Sequence, residues 1–340
     1  MGESKKKSAD LSVFRGKVIL ITGGTGSFGK SFARFLLEEA RPQKVIIFGR
    51  DEFKQFNIQQ EFAAYHKHIR YFLGDIRDLS RLQLAFRGVD IVIHAAALKQ
   101  VPVLEYNPFE AIQTNILGTQ NVITASLDQG VKKVLLISTD KAVEPVSLYG
   151  ATKLCAEKIL VDSNVYSAGK TRLSAVRYGN VIGSRGSIVE TLLKKPGKNI
   201  DITHEGMTRF WITLQSSHEL VVFAMQHMVG GEIFVPKIPS MRLVDLFKAL
   251  APHRKAKVVG MRPGEKLHEV LLTDEESKRG FDVGKHFVIV PHPEGSLGER
   301  VMRAYRGIGK PLPFGFRYSS DSNDQWLNQE DIKRLVGKSV

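Results

Sequence analysis

The chain has 340 residues, which is enough for one large domain or two smaller ones. Hydrophobic residues make up 43% and charged residues 25% of the sequence, as in ordinary globular soluble proteins. The net charge of +14 leaves three classes of partner to consider: nucleic acids, membrane surfaces and small polyanions.

Sequence patterns argue against the first two classes. There is no aromatic-interleaved basic repeat and no zinc-finger spacing, so we expect no nucleic-acid partner. The basic leader Lys5-Lys6-Lys7 is predicted to be a disordered tail. The N-terminus lacks the apolar core of a signal peptide, and no run approaches the roughly 20 apolar residues of a membrane span. Cys155 is the only cysteine, which excludes an internal disulfide, so we predict a cytoplasmic protein without a membrane partner.

A glycine-rich turn follows the first predicted strand, residues 17–22, and precedes a predicted helix, residues 30–40. Strand, glycine turn and helix in this order indicate a dinucleotide site, where backbone amides approach a pyrophosphate at the helix start. The first glycine of the motif is either Gly23 or Gly24, since each gives a known spacing to the glycines that follow. The residues of this turn predicted to contact a cofactor are Gly23, Thr25, Gly26, Ser27, Phe28 and Gly29.

The second predicted strand, residues 45–48, ends at Gly49-Arg50-Asp51. NAD-preferring enzymes hold the ribose 2′-hydroxyl with an acidic residue about 20 positions past the glycine loop. That position is ambiguous here, because Arg50 and Lys54 supply positive charge that suits a 2′-phosphate. We therefore predict NADP as the cofactor. The alternative is that Arg50 and Asp51 form a solvated pair.

Two further predicted strands, residues 71–73 and 90–94, also end in residues suited to a cofactor. Asp75 could accept a hydrogen bond from an adenine amino group, and Ile76 follows it. After the second of these strands, small side chains would let a cofactor lie against the backbone. These residues are Ala95, Ala96 and Ala97.

His94 ends an apolar strand and is predicted to be a hydrogen-bonded core residue, not a ligand. The histidines before it lack partners at metal-ligand spacing, so we predict no metal site. Lys99 follows in a loop at the same sheet edge, where it could reach the cofactor or a substrate diphosphate, or simply face solvent. Asn115, within a predicted helical stretch over residues 108–127, is a further predicted cofactor contact.

The fifth predicted strand, residues 131–137, leads into the segment with the clearest chemical signature. Ser147 is predicted to cap the helix that follows. Tyr149 and Lys153 are four residues apart on that helix and share a face. A nearby ammonium favours the phenolate form of tyrosine, so the pair predicts an acid–base group; the alternative is an ordinary surface Tyr and Lys. Thr139 at the strand end could hydrogen-bond the same substrate hydroxyl.

The sixth predicted strand, residues 172–176, completes a run of strands alternating with helices. The candidate residues fall at the carboxyl ends of these strands, where ligands bind in doubly wound parallel sheets. We therefore predict an α/β fold of the Rossmann type, with a dinucleotide-binding domain over residues 1–182. A strand over residues 232–236 is predicted to rejoin the sheet, and the rest of residues 183–340 to form mainly a smaller substrate-binding lobe.

Two arginines of the second lobe are candidates for phosphate binding, because a guanidinium fork suits phosphate oxygens. Arg209 lies in a basic and aromatic segment, residues 208–213. Arg262 opens a turn, residues 262–266, that is predicted to lead into a helix. The alternative for each is a surface arginine.

Three features together resemble the extended short-chain dehydrogenase/reductase family, which includes nucleotide-sugar epimerases and dehydratases: Thr22-Gly23-x-x-Gly26-x-x-Gly29, Asp75, and Tyr149-x-x-x-Lys153. A finer match is spread over nearly the whole chain, in residues 21–30, 94–99, 138–142, 209–213 and 261–269. These segments resemble the subfamily of inverting UDP-N-acetylglucosamine 4,6-dehydratases.

The residues after Thr139 separate the reaction classes within this family. Retaining dehydratases carry Asp-Glu there, and 4-epimerases need no additional acid–base pair. Here the pair is Asp140-Lys141, as in the inverting dehydratases. The alternative is that these two residues form a polar loop without a chemical role.

The resemblance implies a role for each residue. Tyr149 removes the C4 hydroxyl proton while the C4 hydride passes to bound NADP, and the new ketone makes the C5 hydrogen acidic. Lys141 is the C5 base and Asp140 the acid for the departing C6 hydroxyl. Hydride returns to C6 and a proton reaches C5 from the opposite face, giving a UDP-4-keto-6-deoxy-L-arabino-hexosamine. Lys141 must be neutral to act as a base, so we expect burial or a cation such as Lys153 to lower its pKa.

The implied substrate is UDP-N-acetylglucosamine, and the implied product serves pseudaminic acid synthesis and flagellin glycosylation. Additional implied cofactor contacts are Ser138, Tyr149, Lys153 and Tyr178. The implied substrate contacts are Lys99, Lys141, Asn180, Val181, Arg209, Arg262 and Glu265. Both ligands are polyanions, which accounts for the positive charge balance. Soluble members form ring-like homo-oligomers, so we expect a homo-oligomer of hexameric size. A UDP-sugar 4-epimerase and a non-catalytic NADP-binding regulator are the alternatives.

Overall fold

Six parallel strands, counted inward from one edge, form more than half of the ten-stranded sheet that organises the fold. The computed structural model describes residues 10–194 and 199–337, so the leader Lys5-Lys6-Lys7 lies outside the described residues. The strands are β1 Val18–Thr22, β2 Lys44–Gly49, β3 Ile69–Leu73, β4 Ile91–His94, β5 Lys133–Ile137, β6 Arg172–Val176, β7 Asn180–Val181, β8 Asn199–Ile202, β9 Thr208–Ile212, β10 Ile233–Pro236, β11 Ser240–Arg242, β12 Lys255–Val258, β13 Val270–Leu272, β14 Gly280–Asp282, β15 His286–Ile289, β16 Lys310–Pro311 and β17 Tyr318–Ser319.

The order of these six strands is β3-β2-β1-β4-β5-β6, starting from the edge strand β3, and each neighbouring pair is parallel. This is the order of doubly wound dinucleotide-binding sheets, and it confirms the predicted Rossmann-type α/β fold. Aliphatic runs such as Ile19-Leu20-Ile21 are fully buried, because helices cover both faces of a parallel sheet. The carboxyl ends of the six strands consequently share one edge, where the candidate residues were expected.

Helices alternate with the strands. Their bounds are α1 Ser27–Phe35, α2 Glu52–Glu61, α3 Leu79–Ala85, α4 Val101–Tyr106, α5 Pro108–Ala111, α6 Gly118–Asp128, α7 Leu148–Asp162, α8 Ile188–Lys194, α9 Leu214–His227, α10 Leu243–Leu250, α11 Asp274–Ser277, α12 Gly295–Arg306 and α13 Gln329–Gly337. In the described parts of the chain, no helix has the length and apolar character needed to cross a bilayer.

Three helix predictions need adjustment. The helix predicted over residues 30–40 begins within the glycine turn at Ser27 and continues as a π-helical segment, Leu36–Ala40. The stretch predicted over residues 108–127 consists of α5, a π-helical segment, Ile112–Leu117, and α6. The turn at residues 262–266 was wrongly predicted to lead into a helix. It leads into β13, because the apolar residues that follow pair with β17.

Residues after 182 build a second, smaller core and also extend the first sheet. Ile182, Trp211, Leu246 and Ile332 belong to a buried cluster separate from the main core. The strand predicted over residues 232–236 rejoins the sheet as β10, where it pairs with β6 in parallel. Beyond β10, however, the antiparallel strands β15, β14 and β16 widen the sheet to ten strands, so more of the chain returns to it than we predicted. The domain boundary at residue 182 stays a prediction.

A buried ion-pair network ties α7 to the C-terminal part of the chain. Arg177 is 1% exposed and donates to Glu157 on α7 at 2.7 Å and to Glu276 on α11 at 2.8 Å. A buried charge is tolerated only while it is paired and hydrogen-bonded, so these contacts fix α7 relative to β6 and α11. Because α7 carries Tyr149 and Lys153, the network also positions the site.

We expect Arg177→Met to lower the free energy of unfolding by about 3–5 kcal/mol, since it leaves the buried carboxylate of Glu157 and the partly buried one of Glu276 without their arginine partner. Chemical denaturation monitored by circular dichroism measures this loss. The matched control is Arg317→Met, which removes an arginine that is 41% exposed and paired with Glu144. It should cost less than about 1 kcal/mol. Equal losses in the two variants would contradict a special role for the buried network.

Candidate active site

The glycine turn between β1 and α1 is closed tightly enough to admit only glycine at several positions. A Cβ on Gly29 would lie 2.6 Å from the carbonyl oxygen of Gly23. Gly23 itself has φ of +65°, and a Cβ there would lie 2.8 Å from the amide nitrogen of Ala96. A Cβ on Gly24 would lie 2.9 Å from the side chain of Ile47, so both first-glycine alternatives mark constrained positions. Helix α1 begins after Gly26, where no side chain caps the helix.

A cavity of about 610 Å³ opens at this turn. Most of the residues predicted to bind a cofactor line this cavity. They are Gly23, Thr25, Gly26, Ser27, Phe28, Gly29, Arg50, Asp51, Lys54, Asp75, Ile76, Ala95, Ala96, Ala97, Lys99, Ser138, Tyr149, Lys153 and Tyr178. The buried hydroxyl of Ser138 finds no hydrogen-bond partner among the described residues. An uncapped helix start, a glycine cradle and an unpaired hydroxyl fit a dinucleotide.

Charged residues line one end of this first cavity. Arg50 is half-exposed, and its Nη1 lies 3.5 Å from Asp75 Oδ2. Asp51 does not pair with Arg50; it caps α2 by accepting from the Lys54 amide at 2.9 Å, which contradicts the alternative of a solvated Arg50–Asp51 pair. Asp75 also accepts from the Arg77 amide and Nε, each at 2.9 Å. Two cationic side chains, Arg50 and Lys54, thus line the cavity where a phosphate could bind, although Lys54 Nζ also pairs with Asp51 Oδ2 at 2.5 Å.

Asn115 and His94 lie behind the cavity wall. Asn115, predicted as a cofactor contact, does not line the cavity. Its side chain accepts from the Leu98 amide at 2.8 Å and donates to Thr152 at 3.0 Å, so it braces the loop after β4 against α7. His94 is fully buried, with one ring nitrogen 2.7 Å from Thr22 Oγ1, as the core-histidine prediction requires. Burial lowers the pKa of His94 to about 3.

Tyr149 and Lys153 lie on the first two turns of α7, whose N-cap Ser147 accepts from the Gly150 amide as predicted. Lys153 Nζ donates to the carbonyl oxygen of Ile137 at 2.9 Å, and burial lowers its pKa to about 8. Burial raises the pKa of Tyr149 to about 12, against the opposing charge of Lys141. A neighbouring ammonium, that of Lys141, thus favours the phenolate, but burial outweighs its effect on the pKa of Tyr149.

Lys141 lies at the centre of a cluster of charged side chains at the carboxyl end of β5. Its Nζ lies 3.0 Å from Asp140 Oδ1, 3.4 Å from Asn180 Oδ1 and 3.5 Å from Glu269 Oε1. Thr139 Oγ1 donates to the same oxygen of Asp140 at 2.9 Å. Asp140 is fully buried.

The protonation states of this cluster differ from expectation. Burial would lower the pKa of Lys141, but the carboxylates of Asp140 and Glu269 outweigh it and raise that pKa. The prediction of a lowered Lys141 pKa was thus wrong, because it left out the charges of Asp140, which has the larger effect, and of Glu269. Burial also raises the pKa of Asp140, although Lys141 opposes this effect.

A second cavity of about 430 Å³ adjoins the first. Both cavities are lined by Gln100, Lys141, Asn180, Gly186 and Ile188. Val181 lines the first, whereas Arg209, Arg262 and Glu265 line the second, so the predicted substrate contacts divide between them. Arg209 is already engaged, since its Nη1 and Nη2 donate to backbone carbonyls of Thr208 and Lys266. It therefore clamps the turn before β13 and does not present a free fork.

Sequence reasoning did not identify Glu269 as part of the site. It is 2% exposed and faces Lys141 from the start of β13. The sequence did contain a signal for Glu269, because this residue ends the segment 261–269 that carried the family resemblance. A helix was wrongly predicted after residue 266, so the position of Glu269 beside Lys141 was missed. Within residues 10–194 and 199–337, no three His, Cys, Asp or Glu side chains are grouped to hold a metal ion.

Comparisons with known proteins agree along almost the full chain. A family model described as polysaccharide biosynthesis protein matches residues 19–291. A Campylobacter jejuni protein named UDP-N-acetylglucosamine 4,6-dehydratase (inverting) is 46% identical over 95% of this chain and 98% of its own. A Rickettsia akari protein named UDP-glucose 4-epimerase is 38% identical over 95% and 96%. The X-ray structure of Pen from Bacillus thuringiensis superposes with a TM-score of 0.86, at 38% identity over 96% of this chain and 99% of that one.

We expect Gly29→Ala to weaken dinucleotide binding at least tenfold, because its Cβ would displace the backbone that forms the glycine cradle. Fluorescence titration with NADP of protein freed of nucleotide measures the affinity. Gly307→Ala is the matched control, since its Cβ would meet nothing closer than 3.6 Å and the residue lies outside both cavities. Unchanged affinity in Gly29→Ala would refute the placement of the dinucleotide at this turn.

Proposed function

Because the chain belongs to the polysaccharide biosynthesis protein family, within the extended short-chain dehydrogenases/reductases, we propose that it is an inverting UDP-N-acetylglucosamine 4,6-dehydratase. The observation that carries the proposal is Lys141, held 3.0 Å from Asp140 at the junction of the two cavities. A 4-epimerase oxidises and reduces one carbon and needs no such pair. Elimination of water across C5 and C6 needs both a base and an acid.

The first cavity supports NADP as the resident cofactor. The glycine turn would hold its pyrophosphate and Ser138 its nicotinamide end, while Arg50 and Lys54 would neutralise a 2′-phosphate. Bound NADP would accept the hydride from C4 of the sugar and return it to C6 of the sugar, so no NADP is consumed. Ala95, Ala96 and Ala97 leave room for it beside the backbone.

Tyr149 and Thr139 would engage the C4 hydroxyl. Tyr149 is protonated in the described state, because its pKa is raised to about 12 mainly by burial. Before Tyr149 accepts the C4 hydroxyl proton, its own phenol proton would pass to the neutral form of the Lys153 amine, leaving a phenolate and an ammonium. Lys153, with a pKa lowered to about 8 by burial, supports this exchange from one helical turn away.

The Asp140–Lys141 pair would carry out the elimination. Lys141 holds the mobile proton in the described state, since its pKa is raised. Transfer of that proton across 3.0 Å to Asp140 leaves a neutral amine that can accept the C5 proton. The proton now on Asp140 leaves with the C6 hydroxyl as water. Asp140 lines neither cavity, so Thr139, which donates to it at 2.9 Å, is placed to pass that proton to the substrate.

The wider setting is proposed on the same basis. The inverted 4-keto-6-deoxy product would supply pseudaminic acid synthesis and flagellin glycosylation in the cytoplasm. Tyr106 and Phe109, which are 87% and 75% exposed on neighbouring helices α4 and α5, support a homo-oligomer, and we propose a hexamer. Large exposed aromatic side chains of this kind are typical of surfaces that meet another protein.

We expect the purified protein to dehydrate UDP-N-acetylglucosamine in D2O without added NADP. Mass spectrometry and NMR should show loss of one water, one deuterium at C5 and the L-arabino configuration. Lys141→Met should lower kcat by about 10²–10⁴-fold, because it removes a proton-transfer group. Lys248→Met, on the exterior of α10, is the control and should be unaffected. A C4-inverted sugar of unchanged mass would instead identify an epimerase, the activity named for the Rickettsia relative.

We expect Arg50→Ala to weaken NADP binding about tenfold or more while NAD binding stays unchanged, because only NADP carries the 2′-phosphate. Parallel titrations of nucleotide-free protein with NAD and NADP measure both affinities. Equal losses for the two nucleotides would show that Arg50 shapes the cavity without reading the phosphate.

A further inference from the structure

Glu269 is a buried carboxylate beside the catalytic pair that no step of the proposed reaction uses. Its Oε1 lies 3.5 Å from Lys141 Nζ, and its side chain is 3% exposed. Its Oε2 is buried without a hydrogen bond to any of the described residues. It lines the second cavity with Lys141, whereas Asp140 lies behind the cavity wall. Two carboxylates, those of Asp140 and Glu269, therefore lie within 3.5 Å of Lys141 Nζ.

The position of Glu269 is fixed by its own backbone. The Glu269 amide donates to Ser320 Oγ at 2.9 Å, and the Ser320 amide donates to the Glu269 carbonyl oxygen at 2.8 Å. The carboxylate also lies 3.7 Å from Arg209 Nε and 3.5 Å from Lys266 Nζ. These cations offset the cost of burying a negative charge, so Glu269 stays ionised. Consistent with this, Lys141, Arg209 and Lys266 outweigh burial and lower the pKa of Glu269.

We propose that Glu269 is a positioning residue that retains the mobile proton shared by Asp140 and Lys141 while holding the Lys141 amine at the junction of the two cavities. The inference rests on the proposed dehydratase. It assigns Glu269 no contact with a reacting atom. It states that this charge prevents the pair from losing its proton to solvent.

The charges around the pair support this role. The groups facing it are Glu269, Arg209, Lys266, Lys99, Thr139, Asn180 and Tyr149. Glu269 raises the pKa of Asp140 and that of Lys141, so its charge favours a proton on either partner. Arg209 acts in the opposite direction on Lys141.

A retained proton lets the elimination balance. The pair begins with one proton, which moves from the Lys141 amine to Asp140. The C5–H bond breaks and an N–H bond forms on Lys141, while the C6–O bond breaks and the Asp140 proton completes a water molecule. The pair ends as ammonium and carboxylate, as it began. Without Glu269, the pair would release its proton at a lower pH, and above that pH it would lack the acid for the departing hydroxyl.

Competitive acetylation of the nucleotide-bound protein with isotope-labelled acetic anhydride tests the proposal without turnover, because only neutral amines react. Peptide mass spectrometry gives the pH at which Lys141 is half reactive. In Glu269→Gln this pH should fall by about one to three units, since an ion-pair partner is removed. Glu269→Asp should shift it less. The alkaline limb of the kcat pH profile should move in the same direction.

Glu232→Gln is the matched control. Glu232 is also fully buried, and it accepts from Ser174 Oγ at 2.6 Å and from the Gly230 amide at 2.9 Å, outside both cavities. Its substitution should leave the Lys141 curve unchanged. An unchanged Lys141 curve in Glu269→Gln, or an equal shift in Glu232→Gln, would overturn the proposal. If Glu269→Gln does not fold, Glu269→Asp carries the same test.

The two proposals fail in different ways. A Lys141 curve that shifts in a protein unable to remove water from UDP-N-acetylglucosamine would refute the dehydratase but keep the electrostatic role of Glu269. Dehydration with an unshifted curve would refute only the role of Glu269.

Discussion

The ion pair between Lys141 and Asp140, flanked by Glu269, is the interaction on which the site depends. Asp140 and Lys141 follow β5 of the Rossmann sheet, whereas Glu269 immediately precedes β13 in the C-terminal half. Two buried carboxylates and one ammonium within 3.5 Å are stable only if every member is held in place. The cluster therefore requires the C-terminal segment to close against the carboxyl edge of the sheet, which also encloses both cavities.

Contacts outside the Asp140–Lys141 pair hold the C-terminal segment against the sheet. Arg177 pairs with α7 and α11, so the helix that carries Tyr149 is tied to the segment that follows Glu269. The two hydrogen bonds between Glu269 and Ser320 hold the backbone immediately before β13. Arg209, which we expected to bind phosphate, supports the turn before Glu269 through backbone carbonyls. Arg209 and Lys266 thus contribute to the positive charge of the chain but lie against the Glu269 carboxylate.

The sequence was informative wherever function depends on local pattern. The glycine turn, the strand ends and the Tyr149–Lys153 spacing each follow from short-range rules, and the structure places them around one cavity. Asn115 and Glu269 show the limit. Asn115 lies near the site in the fold but faces the protein interior, and side-chain direction is not encoded in spacing. Glu269 is 128 residues from Lys141 in the chain, so only tertiary structure reveals the contact.

The same limit explains the errors in protonation. In the sequence, Asp140 is the only carboxylate next to Lys141, and burial alone would lower the pKa of Lys141. The fold adds a second carboxylate, and two negative charges outweigh the loss of solvation. A lysine base on this scaffold must therefore exchange its proton with a partner and cannot simply be held neutral. Asp140, which lines neither cavity yet lies 3.0 Å from Lys141, is suited to that exchange, because it can store a proton out of reach of solvent. A 4-epimerase could keep Tyr149 and Lys153 without this arrangement, which is why the residues after Thr139 and their buried partner separate the two activities.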